Sequence, residues 1–252
     1  MKRLAIVFFS FIFLTTSLLC ESAKKKGIKI VGIWDAGGSY DVIGEGNYLY
    51  VGSGGQVRIY DISTKEKIEN IKMEYKDKFG GARKLGFYKE KTPPVKILHT
   101  GVGTVQGLFA YKNYLYVIGG KFAIADISKP EKAHIVSSMK IGGSDVHVQG
   151  NYAYLATPSV HGNDITIIDV SDKKKPKKVS GIDIPDKIRR LYVDGKYLYT
   201  GGERNWLYII DISDPKNPKI VSKFPNNRLK GVGISSVAKK DNYVFVVAYH
   251  YG

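Results

Sequence analysis

Two short patterns of apolar and polar residues recur along the chain and predict β-strands. The first is a strand of the general form Asn-Tyr-x-Tyr, which begins at residues 47, 113, 151, 196 and 242, with small variations in the last two copies. The second is an apolar run that ends in Asp-Ile-Ser or Asp-Val-Ser, and its aspartates are Asp61, Asp126, Asp169 and Asp211. Aromatic and β-branched residues bounded by Gly, Asn and Pro are typical of strands joined by tight turns. We therefore expect residues 28–252 to be almost entirely strand and turn, without long helices.

Each full repeat has room for four strands. A short first strand, such as residues 40–43 or 145–148, precedes the tyrosine strand, and a fourth strand, such as residues 219–222, follows a proline turn. The third strand is the apolar run, and because it is apolar on both faces it suits a position between two packed sheets. The repeated aspartates lie 65, 43 and 42 residues apart. A repeat of this length with four strands predicts the blades of a β-propeller.

The repeat resembles that of the LVIVD-repeat family of extracellular bacterial β-propeller proteins. Repeats of that family carry an Asn-Tyr-Ala-Tyr-Val strand and an Ile-Ile-Asp-Val-Ser-Asp-Pro-x-x-Pro strand and turn. Residues 209–218 match the second signature almost residue for residue, whereas the third repeat has Lys173-Lys174-Lys175 before Pro176 and the first lacks the prolines. The resemblance covers about residues 28–252. It implies an all-β propeller of four-stranded blades, and it implies no particular catalytic residues.

The last repeat is incomplete in this sequence. Residues 242–246 supply its second strand, and no Asp-Ile-Ser strand follows them. Near the other end, residues 28–31 resemble the fourth strand at residues 219–222. The sequence thus predicts four full repeats plus an incomplete fifth, and it leaves open an imperfectly closed ring of five blades and an open arc truncated from a larger propeller. The arc is favoured, because a missing core strand leaves apolar surface uncovered.

The first 22 residues have the pattern of an export signal. Residues 1–3 are a short positive region, residues 4–19 follow without a charge, and a more polar stretch begins at Cys20. This uncharged run is short for a membrane span, so a secretory signal peptide is favoured over a retained anchor. We expect residues 1–22 to be the signal, residues 23–27 a short basic linker, and residues 28–252 the propeller. The predicted location is the periplasm, the outer membrane or the cell surface.

Cys20 is the only cysteine, and it lies where bacterial lipoprotein signals place the residue that is lipidated. The stretch at residues 16–20 resembles a loose lipobox, although Ser17 stands where leucine is usual and Leu19 where a small residue is usual. Ordinary cleavage after Ser22 fits the same stretch equally well. Lipidation at Cys20 and cleavage after Ser22 therefore both remain open. A single cysteine allows no internal disulfide and no multi-cysteine metal site.

An insertion interrupts the repeat at about residues 72–98. The first interval between aspartates exceeds the second by 22 residues, and the extra segment contains the pairs Gly80-Gly81 and Pro93-Pro94. These pairs predict a loop that projects from a blade. The basic residues of the segment are Lys72, Lys76, Lys78, Arg83, Lys84, Lys89, Lys91 and Lys96. We expect this loop to contribute to binding an anionic partner, and a solvated loop without a partner is the alternative.

The charge of the whole chain also favours anionic partners. There are 39 Lys and Arg against 23 Asp and Glu, which gives a formal net charge of +16. An exported protein seldom meets nucleic acid, so we expect no nucleic-acid partner. Anionic polysaccharide, a lipid headgroup or an acidic protein surface suits this charge better. Membrane association is expected only through a lipid anchor at Cys20.

Candidate ligand-binding residues come from the first strand of each repeat, which lines the central channel of a propeller. Alignment on the repeat tyrosine places one group of residues at a single level: Asp41, Gly107, Asp145, Arg190 and Ser236. His147 follows Asp145 by two residues and therefore shares its face of the strand. Two acids and one histidine on different blades are a weak metal pattern, because metal enzymes converge three or four ligands. We predict no metal and no cofactor, and a water-filled polar channel is the alternative to a ligand site.

The sequence offers no recognisable catalytic motif. It has no glycine-rich phosphate loop, no HExxH sequence and no nucleophile elbow. The aspartates that end the apolar runs recur with the scaffold, so we expect them to accept backbone N–H bonds in turns. We therefore predict an exported cell-envelope β-propeller that acts as a binding or protein-interaction platform, not an enzyme. The alternatives are a lactonase- or dehydrogenase-like propeller enzyme with a ligand or metal in its channel, and a non-functional fragment of a larger propeller.

Overall fold

β-Strands fill the described part of the chain, as the sequence predicts. The computed structural model describes residues 39–64, 73–77, 86–90, 93–157, 164–203, 206–225 and 232–250. The predicted signal, Cys20 and the basic linker lie outside these residues. Within them, the single helical element is a 3₁₀ turn at Pro130–Lys132, and no helix is long and apolar enough to cross a membrane.

The first two blades are four-stranded antiparallel sheets. The first blade contains β1 (Ser39–Glu45), β2 (Tyr48–Ser53), β3 (Gln56–Asp61) and β6 (Lys96–His99). Its insertion contributes the separate hairpin β4 (Met73–Asp77) and β5 (Gly86–Glu90). The second blade contains β7 (Gly107–Tyr111), β8 (Tyr114–Ile118), β9 (Phe122–Asp126) and β10 (His134–Met139). Part of the insertion is therefore a paired hairpin, where the sequence predicts a loop.

The third and fourth blades repeat this order, and two strands of the fifth are described. The third contains β11 (Asp145–Gln149), β12 (Tyr152–Ala156), β13 (Ile165–Asp169) and β14 (Lys177–Ile182). The fourth contains β15 (Ile188–Asp194), β16 (Tyr197–Gly202), β17 (Trp206–Asp211) and β18 (Lys219–Pro225). The fifth has two described strands, β19 (Val232–Lys240) and β20 (Tyr243–His250). Four full repeats and an incomplete fifth are what the sequence predicts.

The same register recurs in all four full blades, because the two sequence patterns pair with each other. The first tyrosine of the second strand lies opposite the aspartate that ends the third strand, as in Tyr152 with Asp169 and Tyr197 with Asp211. The Oδ1 atom of each of these aspartates accepts the N–H of the serine two residues later at 2.8 Å. Asp61 and Asp126 make the same bond. The repeated aspartates therefore close turns, as expected from their position.

The cores lie between neighbouring sheets. Third strands such as β13 are buried on both faces, because one sheet covers each side. Between the third and fourth blades, Ile167 packs in a cluster with Tyr208 and Ile210, all of them 1% exposed or less. Burial of apolar surface stabilises the fold by roughly 25 cal/mol per Å². Each sheet therefore depends on the next one along the chain for its core.

The blades form an open arc. The first strands β1, β7, β11, β15 and β19 pack side by side in this order, so that successive sheets fan out around a common axis. Among the described residues, the strands of the fifth sheet do not pack extensively against those of the first. Of the two arrangements that the sequence leaves open, the described strands adopt the open one.

Candidate functional site

Three of the predicted channel residues meet on the inner strands. Nη1 of Arg190, on β15, lies 3.2 Å from Oδ1 of Asp145, on β11, and 3.8 Å from Oδ2 of Asp41, on β1. The same nitrogen donates to the carbonyl oxygen of Gln106, just before β7, at 3.4 Å. One guanidinium of the fourth blade thus reaches the first, second and third blades. We call Asp41, Asp145 and Arg190 the channel cluster.

The two acids of the channel cluster also connect neighbouring blades through the backbone. Oδ2 of Asp41 accepts the N–H of Leu108, in the second blade, at 2.7 Å. Oδ2 of Asp145 accepts the N–H of Leu191, in the fourth blade, at 2.8 Å. Between them, Gly107 allows β7 to approach β11, because a Cβ atom there would lie 2.9 Å from Cα of Asp145. The cluster therefore fastens inner strands to one another.

Burial changes the proton affinity of these acids. Burial raises the pKa of Asp145 to about 6, although Arg190 and the N–H of Leu191 act in the opposite direction. Burial also raises the pKa of Asp41, and the N–H of Leu108 and the charge of Arg190 partly offset this. Because burial disfavours its charged form more than Arg190 favours it, Asp145 can take up a proton near pH 6. Chemically, it can act as an ionic clamp and a proton acceptor.

His147 and Ser236 lie apart from the channel cluster. The ring of His147 packs between two aromatic rings, with centroid distances of 4.1 Å to Phe109 and 5.3 Å to Tyr192. Burial lowers the pKa of His147 to about 4, so the ring is neutral at neutral pH. Ser236 lies on β19 opposite Val247. Among the described residues, no group of three or more His, Cys, Asp and Glu is arranged to hold a metal ion.

The basic insertion is described only in part. Lys76 and Lys89 lie on β4 and β5, where the backbone alone is described, and Lys96 begins β6. The other basic residues of the insertion lie outside the described residues: Lys72, Lys78, Arg83, Lys84 and Lys91. Its role in binding an anionic partner therefore stays a prediction.

A groove lies where the fourth blade faces the fifth. Its cavity volume is about 450 Å³, and its apolar wall comes from Tyr199, Ile209, Val221 and Phe224 of the fourth blade and Val244 of β20. We call this feature the edge groove. Val221 is 52% exposed and Phe224 is 45% exposed, high values for large apolar side chains. At its rim, Lys239 and Asp194 form an ion pair.

The edge groove runs beside a strand that lacks an outer neighbour among the described residues. In the full blades the second strand lies between the first and third, whereas β20 pairs only with β19 in the described part of the chain. Residues after the first tyrosine are buried in β12, but Val244, Phe245 and Val247 of β20 are only half-buried. The groove therefore has an apolar wall of half-exposed side chains, a pattern that marks interaction sites.

Sequence reasoning identified the channel residues but missed the edge groove as a site. The exposed residues on β18 could have been found by aligning the repeats. Val221 and Phe224 occupy the repeat positions of Val179 and Ile182, each ten and thirteen residues after the aspartate. Val179 and Ile182 pack against the core between the third and fourth blades. Alignment alone could not show how far Val221 and Phe224 are exposed, because exposure depends on contacts with the next sheet.

Comparison with known proteins supports this architecture. None of the curated proteins matches the sequence. Among solved structures, BamB from Moraxella catarrhalis aligns with a TM-score of 0.56 at 12% identity, over 85% of this chain and 56% of that one. A chain of the mitotic checkpoint complex aligns with a TM-score of 0.56 at 13% identity, over 79% of this chain and 55% of that one. This chain thus spans little more than half of each, and such low identities show a shared fold alone.

The repeats themselves match a family model. The matched segments are residues 36–68, 102–140, 143–183 and 187–225, which together make up more than half of the chain. The last three segments each contain all four strands of one blade, and the first contains β1, β2 and β3 of the first blade. The chain belongs to the LVIVD repeat family.

Proposed function

We propose that this protein is an exported, cell-envelope scaffold that binds another protein at the edge groove and carries out no catalysis. The observation that carries the proposal is the groove itself, in which Val221 and Phe224 are about half exposed. Large apolar side chains exposed along a groove are typical of an interaction site.

The channel cluster supports a scaffold better than an active site. Both acids face Arg190 and accept a backbone N–H from the next blade, so their oxygens already serve to hold the arc together. One chain with a similar fold is part of the mitotic checkpoint complex, which agrees with propellers serving as platforms in assemblies. The net charge of +16 favours a partner with an acidic surface, with the basic insertion contributing to the attraction.

Site-specific photo-crosslinking in the producing cell tests this proposal. A benzoylphenylalanine side chain is placed at Val221 or Phe224, and the matched control is Ile97, which is 41% exposed on the fourth strand of the first blade. We expect the groove positions to yield a discrete protein adduct, identified by mass spectrometry and reproduced with the purified partner. Equal adducts at Ile97, or none at the groove, would contradict a binding role for this surface.

Fractionation of the same cells tests export and anchoring. We expect the protein in the envelope fraction, because residues 1–22 have the pattern of a signal. With Cys20→Ser, lipidation predicts a shift from the membrane to a soluble exported fraction, whereas cleavage after Ser22 predicts no change. Recovery of the unmodified chain from the cytoplasm would contradict the proposed location.

A further inference from the structure

The edge groove has a polar end beside its apolar wall. This end lies where two hairpins turn: Asp194 ends β15, and Lys239, Asp241 and Asn242 surround the turn from β19 to β20. Among the described residues, the charged side chains that line the groove are two aspartates and one lysine. Although the whole chain has a net charge of +16, the lining of this groove is therefore acidic.

The lysine of the polar end is already paired. Lys239 forms an ion pair with Oδ2 of Asp194, and this bond raises the pKa of Lys239, so the lysine keeps its charge. Asp241 lies exposed in the turn and forms no ion pair with another described residue. The side chain of Asp194 is itself 48% exposed. Both carboxylates are therefore accessible to a positive group, and Asp241 has no positive counterpart in the lining.

Nearby lysines lie outside the groove lining. Lys240 points to the opposite face of β19 from the residue before it, since side chains alternate along a strand. Nζ of Lys223 lies 3.7 Å from the ring centroid of Trp206, which packs against the core between the third and fourth blades. Nζ of Lys196 lies 5.2 Å from the ring centroid of Tyr197. Solvent screens exposed charges beyond about 8 Å at physiological ionic strength, so the lining itself decides which charge the groove accepts at contact.

The apolar wall and the acids constrain the occupant together. Val221 and Phe224 are about half exposed, so covering them removes apolar surface from water and favours binding. An occupant with apolar side chains alone would also remove water from Asp241 without replacing its hydrogen bonds, which costs free energy. A basic side chain with apolar neighbours satisfies both parts of the groove.

On these grounds, and resting on the proposed function, we propose that the partner inserts a lysine or arginine side chain at the polar end of the edge groove and apolar side chains along its wall. The basic group pairs with Asp241 and Asp194, while its alkyl stem packs on apolar surface such as the ring of Tyr199. The attraction of an acidic partner surface by the net charge acts away from the groove, so one partner can carry both features.

Selection from a random peptide library displayed on phage shows what the purified protein binds. We expect the enriched peptides to combine Arg or Lys with Leu, Ile or Phe, and to lose binding to Val221→Asp. The control is Ile97→Asp, on the first blade, which should retain binding, and thermal unfolding shows whether both variants remain folded. Enriched peptides that are acidic or uncharged, or whose binding does not depend on Val221, would overturn the proposal.

A charge exchange between peptide and groove tests the proposed contact directly. The probes are a selected peptide labelled with a fluorophore and the same peptide with Glu in place of its basic residue. For the basic peptide, we expect Asp241→Asn to weaken binding about fivefold and Lys239→Met to strengthen it about threefold. For the Glu peptide, both effects should reverse in sign.

Lys240→Met is the matched control for the charge exchange. It removes the same charge from the neighbouring residue on the opposite face of β19, so it shares any long-range effect of lowering the net charge. We expect it to change the affinity for either peptide by less than about 1.5-fold. Equal effects of Lys239→Met and Lys240→Met, or weaker binding of the basic peptide by Lys239→Met, would contradict the proposed contact.

Sedimentation and crosslinking separate the remaining outcomes. A dimer of the purified protein that Val221→Asp dissociates would show that a second copy covers the groove, and would overturn the proposal. Groove-specific adducts in the cell with a partner segment that lacks a basic residue would retain the scaffold and reject the basic contact. Loss of the groove-specific adducts would reject the scaffold function itself.

Discussion

The interface between the third and fourth blades and the interface between the fourth and fifth are built from the same repeat, yet in the described residues the first is covered by a four-stranded sheet and the second by two strands. At the first, a third strand from the next blade covers β14, and Ile167 is fully buried. At the second, Ile209 occupies the same repeat position but lines a groove, and Val221 is 52% exposed. The difference shows that a repeat sequence specifies a surface, while the neighbouring repeat decides whether that surface is core or interface.

The largest expected effect comes from removing the same side chain at both interfaces. Ile167→Ala leaves a cavity between two complete sheets, and we expect the free energy of unfolding to fall by about 2–5 kcal/mol. Ile209→Ala removes less buried surface, and we expect a loss of about 1 kcal/mol. Urea unfolding of the two variants measures both values. Equal losses would mean that the edge groove is covered in the isolated protein.

The pH dependence of stability sharpens the account of the complete interface. Burial raises the pKa of Asp145 to about 6, so its folded form gains a proton more readily than its unfolded form. This effect lowers stability as pH rises from about 4 to about 6. Burial lowers the pKa of His147 to about 4, and this effect raises stability from about pH 4 to about 6.5. In the native protein the two effects oppose each other.

Single variants separate these effects. Asp145→Asn keeps an acceptor oxygen, removes the carboxylate and leaves only the effect of His147. The free energy of unfolding of this variant should therefore rise from pH 4.5 to pH 7. His147→Phe keeps a ring between Phe109 and Tyr192 and leaves only the effect of Asp145. Its free energy of unfolding should therefore rise less than that of Asp145→Asn, or fall, over the same pH range. We expect the change with pH to differ between the variants by on the order of 3 kcal/mol, measured by urea unfolding. Identical pH profiles would contradict the buried positions of both side chains.

A smaller effect tests how closely the fifth sheet packs on the fourth. A Cβ atom on Gly201 would lie 2.1 Å from Cγ2 of Ile234, so Gly201→Ala requires Ile234 to move. We expect a loss of about 1–3 kcal/mol in the free energy of unfolding. Gly44→Ala is the control, because the nearest atom to a Cβ there is 4.0 Å away. If both variants unfold alike, the fifth sheet is not held against the fourth.

The smallest effect concerns the rim of the groove. Lys239 and Asp194 form an ion pair there, and the Asp194 side chain is 48% exposed. Solvent screens such a pair, so Lys239→Met should change the free energy of unfolding by less than about 1 kcal/mol. The change should shrink further in 1 M salt. A larger loss that does not depend on salt would show that the ion pair is shielded from solvent.

Much of the fold follows from local pattern. The tyrosine strand and the Asp-Ile-Ser run pair in one register in every full blade, and the aspartates close turns as expected. Alignment of first strands also placed Asp41, Asp145 and Arg190 at one level, and the structure brings them together. The same alignment could not show that His147 sits between Phe109 and Tyr192, because those contacts join three different blades.

The sequence by itself determined the strand, the turn and the repeat, because each depends on the alternation of side chains over a few residues and on turn residues next to them. Only the tertiary structure decided which apolar faces are covered. Val179 and Val221 are the same residue in the same repeat position, and Val179 packs against a core while Val221 is 52% exposed. Burial depends on the neighbouring sheet, and for the fourth blade that sheet has two described strands where four are needed.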